Sequence, residues 1–264
     1  MAAMTADRVR AQTLADPAGT LLALDFDGTL SPVVDDPASA FIHADSFAAL
    51  QRLGTTLGAI AIVTGRPVEQ ARRLGRIDGS TGLDGLVICG QYGAERWDRA
   101  TGELVTLAAP DAIGELEQRL PGLLAGVGVH DAQLEHKGLA IAVHTRGSAA
   151  DSDTIVAPLE ALALELGLTV EPGREVVEVR MPGSDKGIAL HTLLGEDVRR
   201  VIFAGDDLGD LPAFRAARAL DIDSLLICSH SPEQDALVPL ADLVLDGPDG
   251  IAAWLTDLAD DLGV

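Results

Sequence analysis

Cysteine is nearly absent. The 264 residues hold only Cys89 and Cys228, too few for a disulfide framework and without the paired spacing of a zinc site. A reducing cytoplasm is therefore the expected setting. No apolar run is long enough to span a bilayer, and no apolar signal core follows Met1, so neither a membrane partner nor export is expected. The opening MAAMTADRVRAQTL is mixed in charge and reads as a tail or a first helix. Positive charge is scarce too: 19 Lys plus Arg face 41 Asp plus Glu, and the net charge of -22 repels nucleic acid and anionic surfaces. An anionic substrate needs a site that reverses this field locally. Lysine is the rarest cation, with Lys137 and Lys186 alone among the basic residues. In an Arg-biased chain, positions that keep a compact ammonium are candidates for point contacts that a planar guanidinium makes poorly.

Apolar residues make up 47% and charged residues 23%, a globular composition. The length suits a core domain with a smaller companion. Short apolar runs at residues 21–24, 59–63 and 201–204 end abruptly in polar or acidic residues and read as buried parallel strands. Helical spacing at 46–57 and 68–74 separates them. Further runs at 225–228 and 242–245, then 251–258, continue the alternation of a doubly wound parallel α/β sheet. The middle differs. Residues 112–124 and 154–166 look helical, 133–146 alternates like a hairpin around Lys137, and 168–181 resembles two more strands. We expect a core from residues 1–107 and 183–264 and an inserted α+β unit at 108–182. No internal repeat is visible.

Chemistry-bearing residues sit at the strand ends. Asp25 and Asp27, in DFDGTL, follow the first strand; on extended chain they point the same way, so both carboxylates can converge. An Asp pair capping a turn is the plain alternative, but carboxylates that face each other repel without a cation or shared proton. Thr64-Gly65-Arg66 ends the second strand, where a hydroxyl and backbone N–H groups can receive a phosphoryl oxygen or merely cap a helix. Lys186 opens a helical pattern after the insert, where a cation could neutralise a transferring phosphoryl group. Asp206, Asp207 and Asp210, in GDDLGD, offer hard oxygen ligands suited to Mg²⁺. The histidines show no metal-ligand spacing.

The order DxDGTL, Thr-Gly-Arg, Lys-Gly and GDDxxxD resembles the haloacid dehalogenase superfamily of aspartyl-phosphate phosphatases. More narrowly, DFDGTLSPVVDDP, GQYGAE, LEHKG followed by HTR, and EVRMPGSDKG resemble the trehalose-6-phosphate phosphatases with their inserted cap. The resemblance implies a Mg²⁺-dependent enzyme of trehalose biosynthesis, releasing phosphate from a sugar phosphate. In it, Asp25 is the nucleophile and Asp27 the general acid and base. Mg²⁺ is held by Asp25, the Asp27 carbonyl and Asp206, with Asp207 and Asp210 completing or orienting the shell. Thr64 and Lys186 hold phosphoryl oxygens, with Gly65 and Arg66 beside them. Glu135, Lys137, Arg146 and Glu178 match cap positions that contact the sugar; an ion-pair network on a solvated hairpin is the alternative. A monomer acting on a small molecule is expected.

Two departures stand out. Gly209, Leu211 and Pro212 replace a hydroxyl and two acids of the family's usual loop, and Tyr92 stands where the family often has His. A capped phosphatase for sucrose phosphate or mannosylglycerate phosphate is the nearest rival reading. A phosphoryl-receiver module fits less well, because its acidic pair precedes the phosphorylated Asp. An inert Mg²⁺-binding descendant finds support only in the altered loop.

Overall fold

The computed structural model describes residues 2–34, 36–106, 111–136, 140–145, 152–173, 176–182, 185–231 and 235–264. The chain divides into two compact units, Met1–Thr106 with Asp185–Val264, and Leu107–Ser184. The first unit begins with α1 (Ala2–Ala15), β1 (Thr20–Leu24), α2 (Ala44–Leu53), β2 (Ala59–Val63) and α3 (Val68–Leu74), followed by β3 (Val87–Gly90), β4 (Glu95–Asp98) and β5 (Leu104–Thr106). The second unit holds α4 (Asp111–Gly126), β6 (Gln133–His136), β7 (Ala140–His144), α5 (Ser152–Leu166), β8 (Thr169–Gly173) and β9 (Val176–Arg180). The chain then returns to the first unit through α6 (Lys186–Thr192), β10 (Arg200–Gly205), α7 (Leu211–Ala219), β11 (Asp223–His230), β12 (Leu243–Asp246) and α8 (Gly247–Asp261). Among the described residues, no helix is long and apolar enough to cross a membrane.

The first unit is an α/β sheet ordered β12-β11-β10-β1-β2-β3-β4-β5. Its strands run parallel from β12 to β3, while β4 and β5 are added antiparallel at one edge. That edge is added to the doubly wound parallel sheet expected, where short returns at Gln91–Gly93 and Ala100–Gly102 leave no room for a crossover helix. Side chains alternate between two apolar layers. Leu22, Leu24, Ile60, Ile62, Ile202 and Ile227 pack with α1, α2, α3 and α8. Leu21, Ala23, Ala61, Val63, Val201 and Phe203 face α6 and α7. The rings of Phe203 and Phe214 meet edge to face at 5.8 Å. Burial on both faces explains why these strands read as unbroken apolar runs.

The second unit is an antiparallel sheet, β6-β7-β9-β8, with two helices on one face. Ile113, Leu116, Leu120 and Leu124 recur at helical spacing on α4 and join Ile155, Leu159 and Leu162 of α5 over Ile141, Val143, Val177 and Val179. Strand alternation sends Ala142 and Glu178 to the opposite face.

Candidate active site

β1 lies where the sheet's connections diverge, with β2 on one side and β10 on the other, the place where α/β sheets bind ligands beyond their carboxyl ends. The register pairs Leu24 with Ala204 and with Ile62, so Asp25, Thr64 and Asp206 emerge at one edge of three adjacent strands. Asp25 keeps the ladder for one more residue, its N–H donating to the Ala204 carbonyl at 2.9 Å. The chain then bends. Leu30 and Ser31 N–H donate to the Phe26 carbonyl at 2.9 and 2.8 Å, and Ser229 Oγ donates to the Gly28 carbonyl at 2.6 Å.

Gly28 is required twice over. Its φ is +73°, and a Cβ there would stand 2.1 Å from Asp206 Oδ2. Gly28→Ala is therefore expected to cost about 1–3 kcal/mol from the left-handed backbone alone and to push Asp206 out of the acidic cluster. A thermal melt together with a Mg²⁺ titration checks both effects, and a variant with wild-type values on both would contradict this account of the turn.

A buried cation organises the acids. Lys186, opening α6, places Nζ 2.6 Å from Asp25 Oδ1 and 2.8 Å from Asp210 Oδ1. Asp210 Oδ2 accepts the N–H groups of Asp206 and Asp207 at 3.0 and 3.3 Å. Asp207 turns its Oδ1 to the N–H of Gly209 at 2.9 Å. Among the described residues, carboxylate oxygens of Asp25, Asp206 and Asp210 gather within 4.8 Å of one another. Burial first, then the charge of Asp210, raises the Asp25 pKa well above the ordinary range; Lys186 opposes this, and Asp206 and Asp207 add to it. Asp206 is pushed up to about 8 by burial and by the charges of Asp207 and Asp210. Asp210 is raised chiefly by burial, against the pull of Lys186. Burial lowers the Lys186 pKa, but Asp210, Asp25 and Asp207 outweigh it and raise it well above its usual value.

The donor set fits a hard divalent cation. Three carboxylates gather with one ammonium, which meets only two of them, and Asp206 Oδ1 is buried without a hydrogen-bond partner. A buried orphan oxygen costs free energy unless something binds it. Oxygen-only ligands suit Mg²⁺ rather than a soft metal.

The Asp27 carboxylate is not among the three that gather there. The backbone leaves the strand after Leu24, so the alternation expected across Asp25 and Asp27 ends there. The Asp27 carboxylate is gripped by Arg66, through Nε at 2.6 Å and Nη2 at 2.5 Å. Thr64 Oγ1 accepts the Arg66 N–H at 3.1 Å, and the Thr64 carbonyl accepts the Tyr92 N–H at 2.9 Å. Gln91 and Tyr92 both hold left-handed backbone, φ +47° and +57°. A Cβ on Gly65 would stand 2.8 Å from Tyr92 Cζ and Oη, so the ring lies directly on that loop.

The altered loop has a physical account. Pro212 lies in the first turn of α7, where its missing N–H is harmless, and its carbonyl comes so near α6 that a Cβ on Gly187 would stand 2.7 Å away. Leu211 packs against the apolar layer under the sheet.

In the second unit the register sets Glu135, Ala142, Glu178 and Glu171 in one row across the four strands. His144 Nε2 lies 3.0 Å from Glu135 Oε2, and Arg180 Nε donates to Glu171 Oε2 at 2.8 Å. Lys137 and Arg146 lie outside the described residues. Sequence reasoning assigns no role to Ser229, and it marks His144 as a surface or hydrogen-bonded histidine, as its contact with Glu135 has it. A strand-end Ser carries no signal of its own, whereas the HTR triplet did mark the neighbourhood of His144.

The sequence profile of the trehalose-phosphatase family matches residues 23–236. A trehalose-phosphate phosphatase of Mycobacterium avium is 33% identical over 256 residues, covering 90% of this chain and 61% of the relative. An uncharacterized glycosyl hydrolase of Mycobacterium tuberculosis is 33% identical over 251 residues, 90% of this chain and 18% of that protein. The chain thus spans only part of the curated relatives it matches. Among solved structures, a trehalose-6-phosphate phosphatase related protein superposes with a TM-score of 0.69 at 25% identity, covering 91% of this chain and 97% of the other. A haloacid dehalogenase-like hydrolase from Bacteroides thetaiotaomicron does so at 0.65 and 17%, covering 90% and 98%. The fold is that of the haloacid dehalogenase-like hydrolases. Within that class, the chain belongs to the trehalose-phosphatase family.

Proposed function

We propose that the chain is a Mg²⁺-dependent phosphatase that hydrolyses trehalose 6-phosphate to trehalose and phosphate through an aspartyl-phosphate on Asp25. The observation that carries the reading is the meeting of Asp25 and half-buried Asp206, just past the ends of adjacent strands, with buried Asp210 and Lys186. Lys186 orients the Asp25 carboxylate, whose free oxygen attacks phosphorus. Asp27 gives a proton to the departing sugar oxygen and takes one from the hydrolytic water. Thr64 and Lys186 receive phosphoryl oxygens as charge redistributes.

Asp25, Asp206 and the Asp27 carbonyl would hold Mg²⁺, with Asp207 and Asp210 orienting them. When bound, Mg²⁺ supplies the positive charge that lets a carboxylate approach a dianionic ester. Glu135, Lys137, Arg146 and Glu178 form the sugar-recognising set of a cap unit, where an ester with the wrong hydroxyls would leave charged groups without partners. A cytoplasmic monomer acting on a small sugar phosphate completes the reading.

Phosphate release from trehalose 6-phosphate, sucrose 6-phosphate and glucose 6-phosphate tests the proposal. A strong preference for the first is expected; equal rates on all three would discard the substrate and keep the chemistry.

The acidic cluster also sets a pH dependence. With Asp25, Asp206 and Asp210 all raised, the metal-free fold holds protons that an unfolded chain, with carboxylates near pKa ~4, has released. Stability of the metal-free protein therefore falls as pH rises from ~4 through the raised values, about 8 for Asp206. Asp25, Asp206 and Asp210 would give up those protons on holding Mg²⁺. Its stabilising effect on thermal unfolding is expected to be larger at about pH 8 than at about pH 5.5, and equal shifts at both would contradict the assigned ligands.

A further inference from the structure

We propose that Arg66 is a positioning residue for Asp27 and not a contact for the phosphoryl group, the part suggested by its place in Thr-Gly-Arg. The inference rests on the reading above, in which Asp27 moves the protons. Arg66 meets both Asp27 oxygens in a two-point fork, 2.6 Å from Nε and 2.5 Å from Nη2, which fixes the plane of the carboxylate as well as its distance. The remaining edge is engaged as well, since Nη1 donates to the Pro37 carbonyl at 2.8 Å. The guanidinium carbon stands 5.7 Å from the centroid of Phe26, a fully buried ring.

The main chain beneath is clamped. The Arg66 N–H donates to Thr64 Oγ1, and its carbonyl accepts the Gln91 N–H at 2.9 Å. Exposure decides which partner a ligand meets: the Arg66 side chain is 11% exposed and that of Asp27 is 40%. The carboxylate is the more accessible of the two. The fork and the Pro37 carbonyl take three of the five N–H donors, so a phosphoryl oxygen would find only one on Nη1 and one on Nη2.

The chemistry gives this arrangement its use. In the first half-reaction an Asp25 oxygen bonds to phosphorus while the bond from phosphorus to the sugar oxygen breaks. The electron pair stays on the sugar oxygen, which takes the Asp27 proton. In the second, water bonds to phosphorus and passes a proton to Asp27, and the Asp25 carboxylate leaves with its electron pair. Both transfers need one carboxylate held within hydrogen-bond reach of two different oxygens in turn. A half-exposed Asp on its short flexible stem keeps such a position only when anchored, and each oxygen has a second lone pair that the fork leaves available.

The test compares wild type, Arg66→Met, Arg66→Lys, Asp27→Asn and the Arg66→Met/Asp27→Asn double variant, all with Mg²⁺. Trehalose 6-phosphate has a leaving oxygen that needs a proton; p-nitrophenyl phosphate has one that does not. Arg66→Met is expected to lose at least about 30-fold in turnover on the sugar ester but less than about threefold in first-turnover release of nitrophenolate. Inhibition by orthophosphate should shift by less than about twofold, and the double variant should fall no more than about threefold below Asp27→Asn. Arg66→Lys, which keeps the charge and loses the fork, should show the same split between esters. If Arg66→Met does not fold, Arg66→Lys and its combination with Asp27→Asn carry the comparison. Equal losses on both esters, with orthophosphate inhibition weakened about tenfold, would overturn the assignment in favour of phosphoryl binding. A wild type that frees phosphate from neither ester defeats the reading of the whole site, whereas an active wild type with equal losses defeats only the role of Arg66.

Discussion

Asp25→Asn is expected to lower phosphate release by at least about a thousandfold while leaving the fold intact. The amide matches the carboxylate in shape, and its carbonyl can still accept from Lys186 Nζ, 2.6 Å away in the wild type. It cannot become an acyl phosphate by attacking with a charged oxygen. The substitution also removes one negative charge from a group in which Asp210, Asp206 and Asp207 all push the Asp25 pKa up. Relief of that repulsion means that the metal-free variant should melt at or above the wild-type temperature. Phosphate release and thermal unfolding, measured on one preparation, separate the two effects. Retained turnover above about a tenth of wild type would place the nucleophile elsewhere.

Lys186→Met is expected to be the most destabilising single change at the site. The ammonium is buried and joins two carboxylates, those of Asp25 and Asp210, of which Asp210 is wholly buried. Removing one partner of a buried ion pair typically costs about 3–5 kcal/mol, because the partner's charge stays behind. For a chain of this size that corresponds to a fall in melting temperature of roughly 10 °C. Turnover should be lost as well, since Asp25 is no longer oriented. Lys186→Arg should not restore it, because a planar fork cannot occupy the space of a point charge between two carboxylates. Adding Asp210→Asn to Lys186→Met should recover part of the stability and none of the activity. A Lys186→Met protein as stable as wild type would mean that the pair contributes nothing to the fold.

What could be read from the sequence follows from burial. β1, β2 and β10 lie in the interior of a parallel sheet, so residues 21–24, 59–63 and 201–204 announced themselves as apolar runs, each ending where chemistry begins. β3 lies in a run of the same kind, Leu-Val-Ile-Cys at 86–89, and is buried throughout, whereas β4 reads Glu-Arg-Trp-Asp and all three residues of β5 are exposed, so neither of those carries a run that stands out. The acidic positions of GDDLGD were visible as a group, but their division of labour was not. That Asp207 caps Gly209 while Asp210 is buried under Lys186 depends on a turn whose backbone N–H groups choose between neighbouring carboxylates. The Arg66–Asp27 fork joins residues 39 apart, and no local pattern encodes it. Tyr92 drew notice only as a departure from the family; its left-handed backbone and its contact with the Gly65 loop are visible only in three dimensions.

The strand order has a consequence for how the site comes into being. β1 is central to the sheet, yet its neighbour β10 brings Arg200 to Thr20 from 180 residues further along the chain. Closing so large a loop is entropically costly and slow compared with the local pairings of the second unit, which lie within one continuous stretch. On an emerging chain Asp25 is therefore an ordinary solvated carboxylate until α6 and β10 have followed it. Its burial, its ammonium partner and its altered proton affinity all arrive together, when that later segment docks.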